Sequence, residues 1–460
     1  MNTMLPDAKR KMLLLTAMSA CVAMIFLDES GVGVTLPMIQ KDLGLSNLGV
    51  QWVMNAFLLV LAMLVLAGGR WADYVGHRKV FMIGITIFTV ASLLCGVAQN
   101  EWWLISARAL QGIGASFLVP TNMTLINMGF PPHERGKALG TVIGISSFFM
   151  AGGPFIGGLL TQFLSWRWLF LLNIPAALLS IYFTLLAIPN DEARYPSCRF
   201  DRPGLLIFCV ALSTLIVGLM EGSNLGWSSF PVIILLLIAV VSLLLFGIVE
   251  LKTQYPLIEL HHFRNKVFLA GNIILFCGQL SVVSMVFWAI WLQQSIGFSP
   301  FMAGIALLPT TGPIIFLARL GGKWLDRFGP RLPIILGTGL IMIGTFWIAL
   351  FAQKNNYTWV VMGLLLCGIG TPLIMPTSVT TILSTVPSDE HGMAAGILNT
   401  MRQIGAAFGL AVVGAVIAYY EIATSYSRAF SYGIALSGLF ALLAFVFALF
   451  CLPKRLQYQN

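Results

Sequence analysis

Among the charges inside long apolar runs, three stand out: Asp28 and Glu29 in the first run and Arg108 in the fourth. Charge is costly there, so such residues usually serve a function. A carboxyl withdrawn from water resists ionisation. It can therefore take a proton from one side of a barrier and release it to the other. The same anion can hold an organic cation, so proton and cation exclude one another at a single charge. That exclusion is the least that an exchange of the two requires. Adjacent residues on a helix point about 100° apart. Asp28 and Glu29 therefore cannot both face one cavity squarely; Asp28 is the expected carrier and Glu29 a second site. Arg108 shares a helix face with Gln111, Gly112 and Ala115, a small and polar stripe that suits a protein-facing side. Arg402 and Glu221 are secondary candidates. Trp52, Phe57, Phe148, Phe149, Trp288 and Trp291 have rings that can stack on a flat cation.

The elements that position these residues follow from composition. The 460 residues are 58% hydrophobic and only 9% charged, with a mean hydropathy of +0.90. An average soluble domain is roughly 25% charged. Apolar stretches of about 20 residues recur, each long enough to cross a hydrocarbon layer about 30 Å thick as a helix. The short alternating segments of a transmembrane barrel are missing. Fourteen spans are expected, near 12–36, 50–69, 79–98, 103–128, 138–162, 167–188, 204–222, 230–250, 268–292, 302–322, 332–352, 358–385, 393–418 and 430–452. The fold class is accordingly an all-α membrane protein with fourteen transmembrane helices.

The net charge of +9 is accounted for by loops rather than by a nucleic-acid partner. Nineteen of the 26 Lys and Arg fall in one set of loops and ends, four in the other, and three (Arg108, Arg319 and Arg402) inside spans. By the positive-inside rule both termini are cytoplasmic. The N-terminal run begins like a signal peptide, but its length, its two acids and the lack of a cleavage site make it a retained first span. Seven cysteines, six of them in apolar runs, with no CxxC or Cys/His cluster, imply neither a disulfide framework nor a metal site. No cofactor motif occurs, and the loops are too short for a soluble catalytic domain, so an enzyme is not expected.

The chain repeats itself. Gly69, Asp73 and Gly76 recur 253 positions later as Gly322, Asp326 and Gly329. Gly112, Gly114 and Pro120 recur 256 positions later as Gly368, Gly370 and Pro376. This divides the chain into an N-terminal six-helix bundle at 1–190, an inserted two-helix hairpin at 191–264, and a C-terminal six-helix bundle at 265–460. Two pseudo-symmetric bundles of this kind build carriers that rock about a central site. In each duplicated turn the glycines permit close helix approach and a sharp bend. The aspartate can bond to helix N–H groups or an arginine, which makes a conformational latch of Gly69, Asp73, Gly76 and Arg78, with Gly322, Asp326, Arg327 and Gly329 as its second copy. The halves are chemically unequal, since Leu364 stands where Arg108 would recur.

The turn "GGRWADYVGHRK" resembles the signature between spans 2 and 3 of the major facilitator superfamily, with Tyr74 where a basic residue is usual. "RALQGIGA", from Arg108, resembles that superfamily's arginine motif, which implies a role in proton coupling. "GTVIGISSFFMAGGPFIGG" resembles its antiporter motif; Gly140, Gly153, Pro154, Gly157 and Gly158 match, while Phe149 replaces a glycine. "FLDESGVGVTLP" resembles the first-span motif of the fourteen-span drug:proton antiporters of the EmrB/QacA type, matching at Asp28 and Pro37. "WRWLFLLNIP", "FDRPG" and "LNTMRQIGAAFG" are similar to the same group. The resemblance implies a proton-coupled exporter of amphipathic, cationic small molecules in the cytoplasmic (inner) membrane, working as a monomer with protons, substrate and lipid as its partners. It implies a gating role for the glycine-rich fifth span. The alternative is a carrier dedicated to one metabolite, siderophore or lipid.

Overall fold

A backbone in lipid must hydrogen-bond to itself, and this chain does so as helices. The computed structural model describes residues 7–188, 201–254, 256–387 and 390–453, apart from the side chains at 132, 318–323, 326 and 392. Among the described residues there is no strand. The first half contains α1 (Asp7–Leu43), α2 (Asn47–Val75), α3 (His77–Gly96), α4 (Glu101–Gly129), α5 (Pro132–Phe163), α6 (Arg167–Leu171) and α7 (Asn173–Ala187). Next come α8 (Arg202–Leu225), α9 (Phe230–Lys252) and a 3-10 turn at Leu260–Arg264. The remainder contains α10 (Lys266–Val283), α11 (Met285–Gln294), α12 (Pro300–Ala306), α13 (Leu308–Phe328), α14 (Arg331–Phe351), α15 (Tyr357–Leu383), α16 (His391–Glu421) and α17 (Tyr426–Cys451). Short polar side chains fix several starts: Ser46, Asn100 and Asp201 accept from the backbone N–H of Gly49, Trp103 and Gly204, each at 2.9 Å.

Twelve described helical segments are long and apolar enough to cross a membrane, or thirteen if Pro300–Ala306 and Leu308–Leu317, bent by 45°, form one span. Fourteen were expected. The difference is α4, expected over 103–128, which carries Glu101, Arg108, Gln111, Thr121, Asn122, Thr124 and Asn127 and falls outside that apolar set. Three expected single spans are interrupted: 167–188 as α6 and α7, 268–292 as α10 and α11, and 302–322 as α12 and α13. The expected boundary at 190–191 lies outside the described residues.

Packing places α4 against α2 and α3, α1 against α5 and α7, α15 against α13 and α14, and α10 against α16 and α17. Contacts between the early and late helices run from α5 to α12 and α13, from α2 to α16, and from α1 to α11. The sequence repeat is also a packing repeat. A Cβ on Gly114 would lie 2.8 Å from the Gly84 carbonyl oxygen, and one on Gly370 would lie 2.5 Å from that of Gly337. A Cβ on Gly112 would meet the Phe57 carbonyl oxygen at 2.7 Å; one on Gly368 would meet that of Thr310, 253 positions after Phe57, at 2.6 Å. Small residues thus let backbones touch at equivalent places. On the outside, α9 exposes Leu237, Val240, Leu244 and Leu251, an apolar face suited to lipid.

Candidate functional site

The site grows from the approach of α4 to α2. Because Gly112 has no side chain, α4 lies close enough for Arg108, one turn earlier, to donate from Nε to the Val53 carbonyl at 3.0 Å. Its Nη1 reaches Asp28 Oδ2 at 2.5 Å and Gln111 Oε1 at 2.7 Å. Gln111, at i+3 on the same face, donates to Asp28 Oδ1 at 3.1 Å and to Ser92 Oγ at 3.0 Å. Asn173, at the start of α7, donates to Asp28 Oδ1 at 3.2 Å. Asp28, Arg108, Gln111, Ser92 and Asn173 are all fully buried. The guanidinium lies 4.5 Å from the Phe57 ring centroid and 5.7 Å from that of Phe170. Five helices, α1, α2, α3, α4 and α7, therefore meet at one ion pair whose oxygens are nearly saturated with donors. That is the condition under which a buried pair repays its desolvation. Arg108 Nη2 makes no hydrogen bond among the described residues.

Glu29 takes a different place. Asp28 faces this network, while Glu29, half-buried, lines a central cavity with Phe26, Ser30, Gly33 and Val34 of α1, Met54 of α2, Met150 of α5, Gln279, Val282 and Val283 of α10, and Met285, Val286 and Ala289 of α11. Asp28, expected to be the cavity acid, does not line it. Arg402 of α16 is buried with its guanidinium 5.9 Å from the Phe26 ring, within electrostatic range of Glu29. A second chamber shares Met150, Val282 and Met285 with the first and adds Trp288, Thr310, Thr311, Cys367 and Thr371. Trp288 Nε1 and Thr311 Oγ1 are buried there without hydrogen-bond partners among the described residues. Among the other aromatic candidates, Phe57 covers Arg108, Trp291 stacks on Phe430, and Phe148 packs edge-on against Phe149.

The fifth-span glycines divide into two groups. A Cβ on Gly157 would lie 2.6 Å from the Gly31 carbonyl oxygen, and one on Gly153 would collide with Ser30, so α5 touches α1 just past the two acids. Gly158 rests on Pro300, and Gly304 of α12 rests on the Pro154 carbonyl. Here α1, α5 and α12 pack together, and Gln293 Nε2 of α11 adds a bond to the Val34 carbonyl at 2.8 Å. At the other end, Gly136, Gly140 and Gly144 have nothing within 4 Å of where a Cβ would stand. Gly140 is thus exposed in this conformation, whereas Gly153, Pro154, Gly157 and Gly158 form a seam.

The sequence profile of the Major Facilitator Superfamily matches this chain over residues 18–410 and 269–458. The chain belongs to that superfamily. It is a transporter and a multi-pass membrane protein, not an enzyme. It is 32% identical over 429 residues to the multidrug resistance protein Stp of Mycobacterium tuberculosis, covering 90% of this chain and 78% of that one. It is 33% identical over 420 residues to the puromycin resistance protein of Streptomyces alboniger, covering 89% and 82%. The crystal structure of a D-xylose–proton symporter superposes with a TM-score of 0.69 at 16% identity, covering 96% of this chain and 98% of that one, which is a likeness of fold.

In this transporter the duplicated turns keep their backbone. Gly76 and Gly329 both end a helix with positive φ, 111° and 76°, and their N–H groups close onto Ala72 and Leu325. Asp73 pairs with His77 one turn on, at 3.2 Å, a partner not foreseen from the sequence. The close approach expected at Gly69 occurs at its neighbour Gly68, against the Ser116 carbonyl; a Cβ on Gly69 would meet Pro120 at an ordinary 3.5 Å. Arg78 lies in the first turn of α3. Arg327 lies 5.2 Å from the Phe328 ring, Gly322 lies within α13, and the Asp326 side chain lies outside the described residues. Glu221 is near the end of α8, 3.3 Å from Asn224. Sequence reasoning assigned no role to Ser92, Asn173 or the Val53 carbonyl, which complete the Asp28 network.

Proposed function

We propose that this transporter is a proton-coupled antiporter exporting amphipathic, cationic small molecules, of the fourteen-span EmrB/QacA type. The observation that carries the reading is the opposed placement of Asp28 and Glu29: one in a buried ion pair, the other on the cavity wall. A cation entering the cavity meets Glu29 and competes with Arg402 for it. Protonation of the acids removes the charge that holds the cation, and protonation of Asp28 releases Arg108, loosening α1 from α4. Substrate and proton then occupy the transporter alternately. Proton entry is driven by about 2.3 kcal/mol per charge per 100 mV of potential, with the pH gradient added.

In this proposal α4 is the fourteenth crossing: its polar face is spent on Asp28, Ser92 and α2 rather than on lipid. Residues 1–190 and 265–460 are the two rocking bundles, and α8 and α9 are inserted between them. Both termini face the cytoplasm across the inner membrane, so the open end near Gly140 faces inward. The Gly153–Gly158 seam then closes the outer end and parts on export, while the two Gly-x-x-x-Asp-x-x-Gly turns latch the inner end.

The test is ethidium transport in everted vesicles under an imposed pH gradient, comparing wild type with Asp28→Asn and Glu29→Gln. The expected result is gradient-driven accumulation that both variants lose. Wild-type rates in Asp28→Asn, with no response to collapse of the gradient, would refute the coupling. A substrate range confined to one compound would favour a dedicated metabolite carrier.

A further inference from the structure

We infer that Glu259, His261, His262 and Glu390 form a binding site for a divalent transition-metal ion, with Zn2+ as its best match. Three of these residues lie in and just before the 3-10 turn that follows α9, and Glu390 is the N-cap residue immediately before α16. Glu390 is 128 positions from His262, yet one ligand atom from each of the four lies within 4.8 Å of all the others. His262 Nε2 is 3.1 Å from Glu390 Oε2 and 3.5 Å from Glu259 Oε2, and His261 Nδ1 is 3.7 Å from Glu259 Oε2. Four ligands about 2.0–2.1 Å from a tetrahedral zinc ion stand about 3.4 Å from one another. The observed separations bracket that value. Two imidazoles and two carboxylates are a donor set suited to zinc.

A second observation is independent of the spacing. His262 is 9% exposed, and among the described residues its Nε2 makes no hydrogen bond; Glu390 Oε2, buried beside it, makes none there either. Buried polar atoms are nearly always partnered. A protonated imidazole held by the two carboxylates would direct its N–H at one of them, and the geometry here satisfies neither. A cation among the four atoms satisfies all of them. The His262 ring is held in place by Phe268, with centroids 5.5 Å apart, and the tilted His261 ring lies against it at 3.8 Å, leaving its exposed edge as the entry for the ion. Bound metal would tie the turn leaving the α8–α9 hairpin to the start of α16, the helix that bears Arg402.

The test is direct binding of Zn2+ and Co2+ to the purified full-length transporter, freed of any affinity tag, in detergent. Calorimetry should give one Zn2+ per chain, and Co2+ should show the intense visible absorption of a tetrahedral site. His262→Ala and Glu390→Gln should each weaken binding by about tenfold or more, the scale on which a lost zinc-site partner acts. His261→Ala, whose ring is largely exposed and which should leave folding intact, should remove the tetrahedral Co2+ spectrum. His133→Ala, at an exposed histidine elsewhere, should change nothing. Failure of the wild type to bind Zn2+ more tightly than the His261→Ala variant would overturn the proposal. So would an octahedral Co2+ spectrum, or a response of this cluster to pH with none to metal.

Discussion

The Asp28–Arg108 pair supports a prediction whose size can be worked out. Both side chains are fully buried, so removing one charge leaves the other stranded in a low-dielectric interior. In Asp28→Asn the guanidinium retains only neutral acceptors, the Val53 carbonyl at 3.0 Å and Gln111 Oε1 at 2.7 Å. In Arg108→Gln the carboxylate keeps Gln111 and Asn173 as donors, at 3.1 and 3.2 Å. Breaking a buried pair costs about 3–5 kcal/mol, whereas neutralising both partners is often close to neutral. Each single variant should therefore lose about 3 kcal/mol or more. The double variant Asp28→Asn/Arg108→Gln should recover most of that loss, a coupling well beyond simple additivity. For a chain of this length the losses correspond to falls of about 3–10 °C in unfolding temperature, scaling from smaller domains. The assay is thermal unfolding of the four proteins in one detergent, followed by tryptophan fluorescence. Wild-type stability in Asp28→Asn, or a double variant as unstable as the two losses added, would show that the pair does not hold α1 against α4.

Two further outcomes are expected. Gly112→Ala should destabilise by about 1–3 kcal/mol through overpacking and should also abolish transport, because α4 must retreat from the Phe57 carbonyl and carry Arg108 with it. Gly140→Ala, with open space around it, should keep or slightly raise the unfolding temperature, and equal losses at the two positions would contradict this packing. Gly76→Ala and Gly329→Ala should each cost about 1–3 kcal/mol, since both positions need a φ that side chains rarely adopt. Thermal scans in which either substitution is silent would contradict the turn geometry.

The helical character and the repeat were readable because lipid enforces both: a buried backbone must be helical, and touching backbones need glycine at fixed offsets. Asp28, Glu29 and Arg108 were marked by charge alone in apolar runs. Their division of labour was not. Helical pitch fixes the angle between Asp28 and Glu29, but the rotation of α1 is set by its packing on α4, α5 and α7, which one helix's sequence does not contain. Ser92 and Asn173 were hidden for another reason: uncharged polar residues are common in spans, and only the convergence of α3 and α7 on Asp28 distinguishes them. Polarity that is spent internally also explains α4, whose composition understates how deeply it is embedded among other helices. The encounter of Glu259, His261 and His262 with Glu390 depends on how α10 packs against α16, a contact between segments that share no local pattern.

The glycine contacts repeated between Gly84 and Gly114, and again between Gly337 and Gly370, consist of main chain resting on main chain. Such a joint depends first on the missing side chains of its own glycines, with Phe117 and Ile374 pressing on it from beside. Each copy of the ancestral unit could therefore drift in its chemistry, one acquiring Arg108 and the other Leu364 at the same station, without altering the mechanical frame that both inherited. The two halves thus share one kind of joint while differing in the chemistry they enclose.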